Sequence, residues 1–173
     1  QERKRCRGGP ELSLQGPIEF AQHFDRHEEI DARQAPFHDI PAQTVGDQGD
    51  RDLLFFDAVL ATMKEKFRID GRRIYATGHS NGGGFSYLLW AARPDTFAAI
   101  APSAAAGGGL RDAKNLKPIP LLHVAGEKDE VVPFETQKKV LERLKSFNGC
   151  EAEGKGWQTV CTIYPSSKSA PIV

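Results

Sequence analysis

Apolar residues recur every three or four positions between residues 53 and 67. They are Leu53, Phe56, Leu60, Met63 and Phe67. This spacing places them on one face of a helix. Asp50 or Asp52 can cap the helix, because short carboxylate side chains accept hydrogen bonds from first-turn amides. The pattern therefore predicts a helix from about residue 50 to residue 67.

Strands and helices alternate along the rest of the chain. Strands are predicted at Arg73–Thr77, Phe97–Pro102, Ile119–Ala125 and Thr159–Tyr164. Helices are predicted over Asn81–Ala92 and from about Pro133 to a stop at Asn148-Gly149, the second with an apolar stripe at Val140, Leu141, Leu144 and Phe147. This alternation is typical of an α/β fold, a mostly parallel sheet with helices on both faces. Reactive residues of such sheets gather at the carboxyl ends of the strands.

The first third of the chain is poorly patterned. A weak helical pattern runs from Ile18 to about Ala35, and residues 36–50 are predicted to form a long loop with two prolines and two glycines. The basic cluster around Cys6 is expected to be a solvated tail. No internal repeat divides the chain. We therefore predict one partial domain over residues 1–173, in which residues 1–49 form a poorly patterned N-terminal region.

Charge and composition exclude several functions. The 173 residues include 23 Lys+Arg and 23 Asp+Glu, so the formal net charge is zero. Nucleic-acid binders and binders of anionic membranes need a basic excess, so we expect neither partner. No apolar run reaches the roughly 18–20 residues of a membrane span. The cysteines lack the paired spacing of a zinc site, and we expect no metal and no cofactor. Without an initiator Met or a signal-peptide pattern, the chain is expected to be a mature protein or a fragment.

A Gly-x-Ser-x-Gly motif lies between the strand predicted at 73–77 and the helix predicted from residue 81. It begins at Gly78 and is followed by two further glycines. In this context the motif predicts a nucleophile elbow, with Ser80 in a strained turn. Gly78 and Gly82 are expected to avoid collisions that Cβ atoms would cause where strand and helix meet. The backbone N–H of Asn81 is the candidate oxyanion donor. The alternative is a glycine-rich turn with an incidental serine.

An activated serine also needs an acid and a base. Asp129 follows the strand predicted at Ile119–Ala125 and is the candidate acid. Its rivals Glu127, Glu130 and Asp112 are expected to be solvated surface residues.

The base should be a histidine after the acid, because this kind of site orders its triad as Ser, acid, His. The histidines are His23, His27, His38, His79 and His123, and none follows Asp129. His79 is expected to pack under the elbow, and His123 to be a hydrogen-bonded core residue. Because Ala170-Pro171-Ile172 resembles the start of a strand, we expect the chain to stop before the loop that carries the base.

Cys150 and Cys161 lie 11 positions apart. A disulfide between them would close a short loop and add roughly 2–3 kcal/mol by the chain-entropy model. Two free thiols are the alternative.

These motifs resemble polyhydroxybutyrate depolymerases and feruloyl esterases, which are secreted serine esterases of the α/β-hydrolase fold. The resemblance spans residues 50–165. It is carried by Asp50-Arg51-Asp52-Leu53, by Gly78-His79-Ser80-Asn81-Gly82-Gly83-Gly84, by His123-Val124-Ala125-Gly126 through Asp129, and by Val132-Pro133-Phe134. It implies that Ser80 is the nucleophile, Asp129 the triad acid and the Asn81 amide an oxyanion donor. It also implies secretion and favours the Cys150–Cys161 bridge.

Two departures from the family pattern accompany this resemblance. Only Cys6-Arg7-Gly8-Gly9 stands where the family has a His-Gly loop that supplies the second oxyanion donor, and the family's catalytic histidine is absent. The chain therefore resembles the middle of such an esterase, with its sheet incomplete at both ends.

The leading hypothesis is a serine carboxylic ester hydrolase that works through an acyl-enzyme. Feruloyl or other aryl esters, or short-chain hydroxyalkanoate-type esters, small or polymeric, are the expected substrates. One alternative is a non-catalytic remnant or binding module that retains the elbow. A serine peptidase is a further alternative, because the elbow itself does not distinguish ester from amide hydrolysis.

Overall fold

The computed structural model describes residues 46–111 and 113–173. Their helices are α1 (Arg51–Lys66), α2 (Asn81–Ala92) and α3 (Phe134–Asn148), with 3-10 turns at Asp47–Asp50 and Gly108–Leu110. Their strands are β1 (Tyr75–His79), β2 (Ala99–Ser103), β3 (Lys155–Gln158) and β4 (Cys161–Ile163). The predicted weak helix at 18–35, the basic tail around Cys6 and most of the predicted 36–50 loop lie outside the described residues.

All three helices predicted between residues 50 and 148 are confirmed. Helix α1 begins directly after Asp50, but the Asp50 carboxylate accepts a hydrogen bond from the Gly46 amide and caps no helix amide. Helix α3 begins directly after Pro133. It ends at Gly149, which has a φ of 65° and donates its N–H to the Ser146 carbonyl. Glycine suits this left-handed position because it has no Cβ.

A mostly parallel sheet forms the centre of the described structure. Strands β1 and β2 pair in parallel, from Tyr75 opposite Ala99 to His79 opposite Ser103. Residues 121–124 extend the sheet through parallel bridges to β2, and Leu121 also bridges in parallel to Ile172. Chain segments at 75–79, 99–103, 121–124 and 172 therefore run side by side in the same direction, which brings their carboxyl ends to one edge.

All four strand predictions need correction in their details. The strand predicted at Phe97–Pro102 is β2, which spans Ala99–Ser103. Strand β1 starts at Tyr75, two residues late, because Arg73 closes a turn by donating its N–H to the Asp70 carbonyl at 2.9 Å. The strand predicted at Ile119–Ala125 joins the sheet through isolated bridges at Leu121 and Val124. In place of one strand at Thr159–Tyr164, an antiparallel hairpin of β3 and β4 turns at Val160, whose side chain is 93% exposed.

The hydrophobic core lies where α2 and α3 meet the sheet. Tyr87 and Trp90 of α2 are fully buried, as are Ile100 of β2 and Ile172. The Trp90 ring packs edge-on against Phe147 of α3, with ring centroids 6.4 Å apart. Among the described residues, none of the helices combines the length and the apolar character needed to cross a bilayer.

The predicted Cys150–Cys161 disulfide is not formed, and both thiols are free. Cys150 bridges to Ser166 at the end of the hairpin that is far from its turn, whereas Cys161 pairs with Gln158 next to the turn. Five residues of extended chain separate Ser166 from Cys161, which is about 16 Å. A disulfide needs Cα atoms less than about 7 Å apart. The register of the hairpin therefore keeps the two cysteines apart.

Buried Asn148 fastens the C-terminal end of α3 to the sheet. Its side-chain amide donates to the carbonyl of Ile119 at 2.9 Å and to that of Ala170 at 3.0 Å. These two carbonyls belong to residues that lie two positions before the paired segments at 121–124 and 172. The side chain is completely buried, so water does not compete for these bonds.

Replacing this amide tests the importance of the attachment. We expect Asn148→Ala to lower the free energy of unfolding by about 2 kcal/mol or more, because two buried carbonyls lose their donor. Urea unfolding measures the change. Ser167→Ala removes an exposed hydroxyl that bonds to the Gly149 carbonyl, and this control should change stability by less than about 0.5 kcal/mol. Equal effects of the two substitutions would contradict the proposed role of Asn148.

Candidate active site

Ser80 occupies the single residue between the end of β1 and the start of α2. Its φ of 55° and ψ of −118° lie outside the regions that a side chain normally adopts. Two backbone hydrogen bonds hold this conformation: the Ser80 N–H donates to the Ser103 carbonyl, and the Ser80 carbonyl accepts from the Gly84 N–H, both at 2.9 Å. Such strain persists only where the surrounding structure enforces it, and it is common at functional sites.

Close backbone contacts explain two of the glycines around the serine. A Cβ atom on Gly78 would lie 2.2 Å from the Gly82 carbonyl oxygen, so no side chain fits there. The corresponding prediction for Gly82 is wrong, because a Cβ at that position would meet nothing within 4 Å. The second position that requires glycine is Gly83, where a Cβ would lie 2.7 Å from the Ser103 carbonyl oxygen. Gly83 lies in the first turn of α2 and faces β2. The Gly-x-Ser-x-Gly motif does not include this position.

The backbone N–H of Asn81 lies at the first position of α2. Amides of the first helical turn have no acceptor within the helix, and they lie at the positive end of the helix dipole. An oxyanion formed next to Ser80 would face this amide. The role of Asn81 as an oxyanion donor remains a prediction.

Asp129 lies in the loop after residues 121–124, at the same edge of the sheet as Ser80. Its Oδ1 accepts hydrogen bonds from the N–H groups of Val132 at 2.9 Å and Val131 at 3.0 Å. The pKa of Asp129 is lowered, mainly by the Val132 amide, with smaller contributions from Val131, from the side chain of Gln137 and from the charge of His79. The carboxylate is therefore held in its charged form. His79, whose charge is the smallest of these contributions, is the residue that precedes Ser80.

The other acidic candidates were Glu127, Glu130 and Asp112. Glu127 and Glu130 are exposed, as expected for solvated surface residues. Asp112 lies outside the described residues.

His79 is exposed at the edge of the sheet, and the prediction that it packs under the elbow is wrong. Its Nδ1 lies 3.2 Å from the Ser103 hydroxyl on the neighbouring strand. Because His79 and Ser103 are register partners in parallel strands, their side chains stand on the same face of the sheet.

His123 is a hydrogen-bonded core residue, as predicted. Its ring is 8% exposed, with Nδ1 2.8 Å from the Tyr87 hydroxyl and Nε2 2.9 Å from Oε1 of Gln137. Burial lowers the pKa of His123, and the bond to Gln137 opposes this effect only in part. His123 therefore stays neutral inside the protein. His23, His27 and His38 lie outside the described residues, and within these residues no side chain hydrogen-bonds to the Ser80 hydroxyl.

Gln137 is the residue of this site that the sequence analysis missed. It is completely buried and donates its side-chain amide toward Asp129 and to the Val132 carbonyl. A signal was available, because Gln137 lies three and seven positions before Val140 and Leu144 and thus falls on the apolar stripe of α3. A polar residue on a buried stripe must find hydrogen-bond partners inside the protein.

The parallel strands, the strained serine turn and the acid loop at one sheet edge define an α/β-hydrolase fold. Residues 33–107 match the prolyl oligopeptidase family. The chain is 30% identical to a thermostable esterase of known structure, with a TM-score of 0.51 over 57% of this chain and 26% of the other.

Sequence relatives are named esterases. A probable feruloyl esterase C of Aspergillus niger is 35% identical over 102 residues, which are 58% of this chain and 37% of that protein. A bifunctional acetylxylan esterase/xylanase of Neocallimastix patriciarum is 29% identical over 107 residues, or 61% of this chain and 16% of that protein. The chain thus spans little more than a third of the feruloyl esterase. In sequence and in fold it is a relative of α/β-hydrolase esterases.

Substitutions of the elbow glycines test the close approach of strand and helix. We expect Gly78→Ala to lower the free energy of unfolding by at least about 1–3 kcal/mol, because its Cβ overlaps a backbone carbonyl. Gly82→Ala is the matched control, and it should leave stability unchanged or raise it by about 0.5–1 kcal/mol, as alanine favours the helix. Chemical denaturation of both variants provides the comparison. A tolerated Gly78→Ala would show that the elbow is more open than described.

Buried His123 should make stability depend on pH. Its folded pKa lies below the unfolded value of about 6.5, so the unfolded chain takes up a proton that the folded chain does not. We expect the free energy of unfolding to be unaffected by His123 above pH 7 and to fall below about pH 6.5, by at most about 1.4 kcal/mol per pH unit. Denaturation of His123→Gln between pH 7.5 and 5 should give a flatter profile. Parallel profiles for both proteins would refute this assignment.

Proposed function

We propose that this chain carries the nucleophile and the acid of a serine carboxylic ester hydrolase. The observation that carries the proposal is the strained turn at Ser80, located at the N-terminus of α2 and at the same sheet edge as the charged Asp129. The similarity to named feruloyl and acetylxylan esterases supports the same reaction class.

The proposed reaction proceeds through an acyl-enzyme. Ser80 Oγ attacks the ester carbonyl carbon while its proton passes to a base, and the carbonyl oxygen becomes an oxyanion that faces the Asn81 N–H. The intermediate collapses, the bond to the alcohol oxygen breaks, and the base returns the proton to the departing alcohol. Water then attacks the acyl group by the same route and releases the carboxylic acid and free Ser80.

The base in this proposal is a histidine outside the described residues. Among these residues, His123 is enclosed in the core and His79 contacts Ser103, so neither is positioned to relay the proton of Ser80. Asp129 would orient the histidine through an N–H and stabilise its charged form.

The substrates we favour are feruloyl or acetyl esters. The names of the relatives point to these acyl groups, whereas hydroxyalkanoate-type esters rest on the motif resemblance. Secretion of the protein rests on the same resemblance. The match to the prolyl oligopeptidase family keeps amide hydrolysis as a second candidate. Matched ester and amide substrates with the same acyl group separate the two reactions, and faster amide turnover would favour the peptidase.

Loss of the serine hydroxyl should abolish turnover. In the full-length gene product that contains this chain, we expect Ser80→Ala to lower kcat for methyl ferulate or a short acyl ester by at least about 10⁴-fold, because no other group forms the acyl-enzyme. Ser146→Ala removes an exposed serine hydroxyl on α3 and should leave kcat unchanged. Circular dichroism checks that each variant is folded.

Fluorophosphonate labelling distinguishes the enzyme from a non-catalytic remnant. A triad-activated Ser80 reacts rapidly and carries the label in a mass-mapped peptide, whereas an unassisted serine stays nearly unmodified. A folded wild-type protein that neither hydrolyses these esters nor takes up the label would contradict the proposed function and favour a binding module.

A further inference from the structure

Three buried polar side chains form a series of hydrogen bonds that ends at the loop of Asp129. Tyr87 of α2 contacts His123 in the sheet, and His123 contacts Gln137 of α3. Tyr87 and Gln137 are completely buried, and His123 nearly so. Buried polar groups in an apolar core are costly unless every one of them is satisfied. The hydrogen-bonding capacity of the three side chains therefore constrains how each is oriented.

The positions of the protons on Tyr87, His123 and Gln137 follow from the surroundings of the Gln137 amide. The Gln137 Nε2 group faces two acceptors, the Val132 carbonyl at 2.7 Å and Oδ2 of Asp129 at 3.4 Å, so Oε1 must be the atom facing His123. His123 Nε2 therefore carries the proton and donates to Oε1 at 2.9 Å. His123 Nδ1 is then an acceptor and receives the Tyr87 O–H at 2.8 Å. Reversing the Gln137 amide would set its oxygen against two other oxygens.

Gln137 contacts the acid loop at two points. Its short bond to the Val132 carbonyl holds the residue whose N–H binds Oδ1 of Asp129. Its longer contact reaches the second carboxylate oxygen, Oδ2. Together with the Val131 and Val132 amides, Gln137 thus restrains rotation of the carboxylate from both sides. A triad acid needs this restraint, because it must keep an oxygen directed at the N–H of the base.

We propose that Gln137 is a positioning residue for Asp129, and that His123 and Tyr87 hold Gln137 in the orientation this requires. The catalytic consequence rests on the proposed function, whereas the hydrogen-bond arrangement does not. The core histidine is then part of the support of the active site, although it never contacts the substrate. This series of hydrogen bonds connects α2, which begins directly after Ser80, to the loop that carries Asp129.

The first experiment measures the arrangement without any turnover. In Gln137→Met, which has a similar shape but no donor, carboxyl ¹³C NMR should show a higher Asp129 pKa than in the wild type. Gln158→Met makes the same replacement on the exposed strand β3 and should leave this pKa unchanged. Ring ¹⁵N shifts should identify the Nε2–H tautomer of His123 in the wild type. An unchanged Asp129 pKa in Gln137→Met, or the Nδ1–H tautomer, would overturn the inference.

The second experiment measures catalysis in the full-length gene product. Gln137→Met should lower kcat about ten- to hundredfold with little change in KM, because a hydrogen bond near a charged group is lost while the substrate site stays intact. His123→Gln keeps a donor at the ε position and should retain more activity than His123→Leu. If Gln137→Met does not fold, Tyr87→Phe takes its place, because it removes only the hydroxyl that bonds to His123. This variant should also lower kcat, by less than the ten- to hundredfold loss expected for Gln137→Met, and an unchanged kcat would overturn the role of Tyr87.

The outcomes separate this inference from the proposed function. Normal kcat in a folded Gln137→Met, or equal activity of His123→Gln and His123→Leu, would overturn the positioning role even if the esterase activity is present. Absence of esterase activity in the wild type, together with a raised Asp129 pKa in Gln137→Met, would contradict the proposed function and leave the positioning of the carboxylate supported.

Discussion

The described structure depends on how closely the end of β1 approaches the start of α2. A Cβ atom on Gly78 would lie 2.2 Å from the Gly82 carbonyl oxygen, and one on Gly83 would lie 2.7 Å from the Ser103 carbonyl oxygen of β2. Any side chain there would push the helix away from the sheet. Only Ser80 stands between the end of the strand and the start of the helix, and it adopts a φ of 55° there. The hydrogen bond from its N–H to the Ser103 carbonyl maintains this conformation. Packing elsewhere must offset the strain of this single residue.

Residues 121–124 are held by α3 at both ends. Near their start, Asn148 bonds to the Ile119 carbonyl, and near their end Gln137 bonds to His123 and to the loop of Asp129. One helix thus sets both the position of this segment in the sheet and the direction of the acid that follows it. Polar side chains make these attachments within an apolar core, so they specify one register where apolar contacts would allow several.

The two ionisable residues next to Gln137 experience opposite environments. Burial lowers the pKa of His123 and keeps the ring neutral, whereas backbone amides lower the pKa of Asp129 and keep the carboxylate charged. The Gln137 side chain serves both groups, because an amide offers an acceptor to one and donors to the other. A charged residue in its place could not satisfy both neighbours, since it would lack either the donors or the acceptor.

Local patterns in the chain were sufficient for the helices, the elbow and the class of fold. Apolar spacing, a proline before Phe134 and a glycine at position 149 act over a few residues, so the sequence contains their cause. Contacts between distant residues were not accessible in this way. The need for glycine at position 83 comes from the Ser103 carbonyl, the separation of Cys150 from Cys161 comes from the hairpin register, and the role of Gln137 comes from a histidine 14 positions earlier. These features depend on which segments become neighbours in the sheet. The spacing of residues along the chain does not indicate which distant segments will lie close in space.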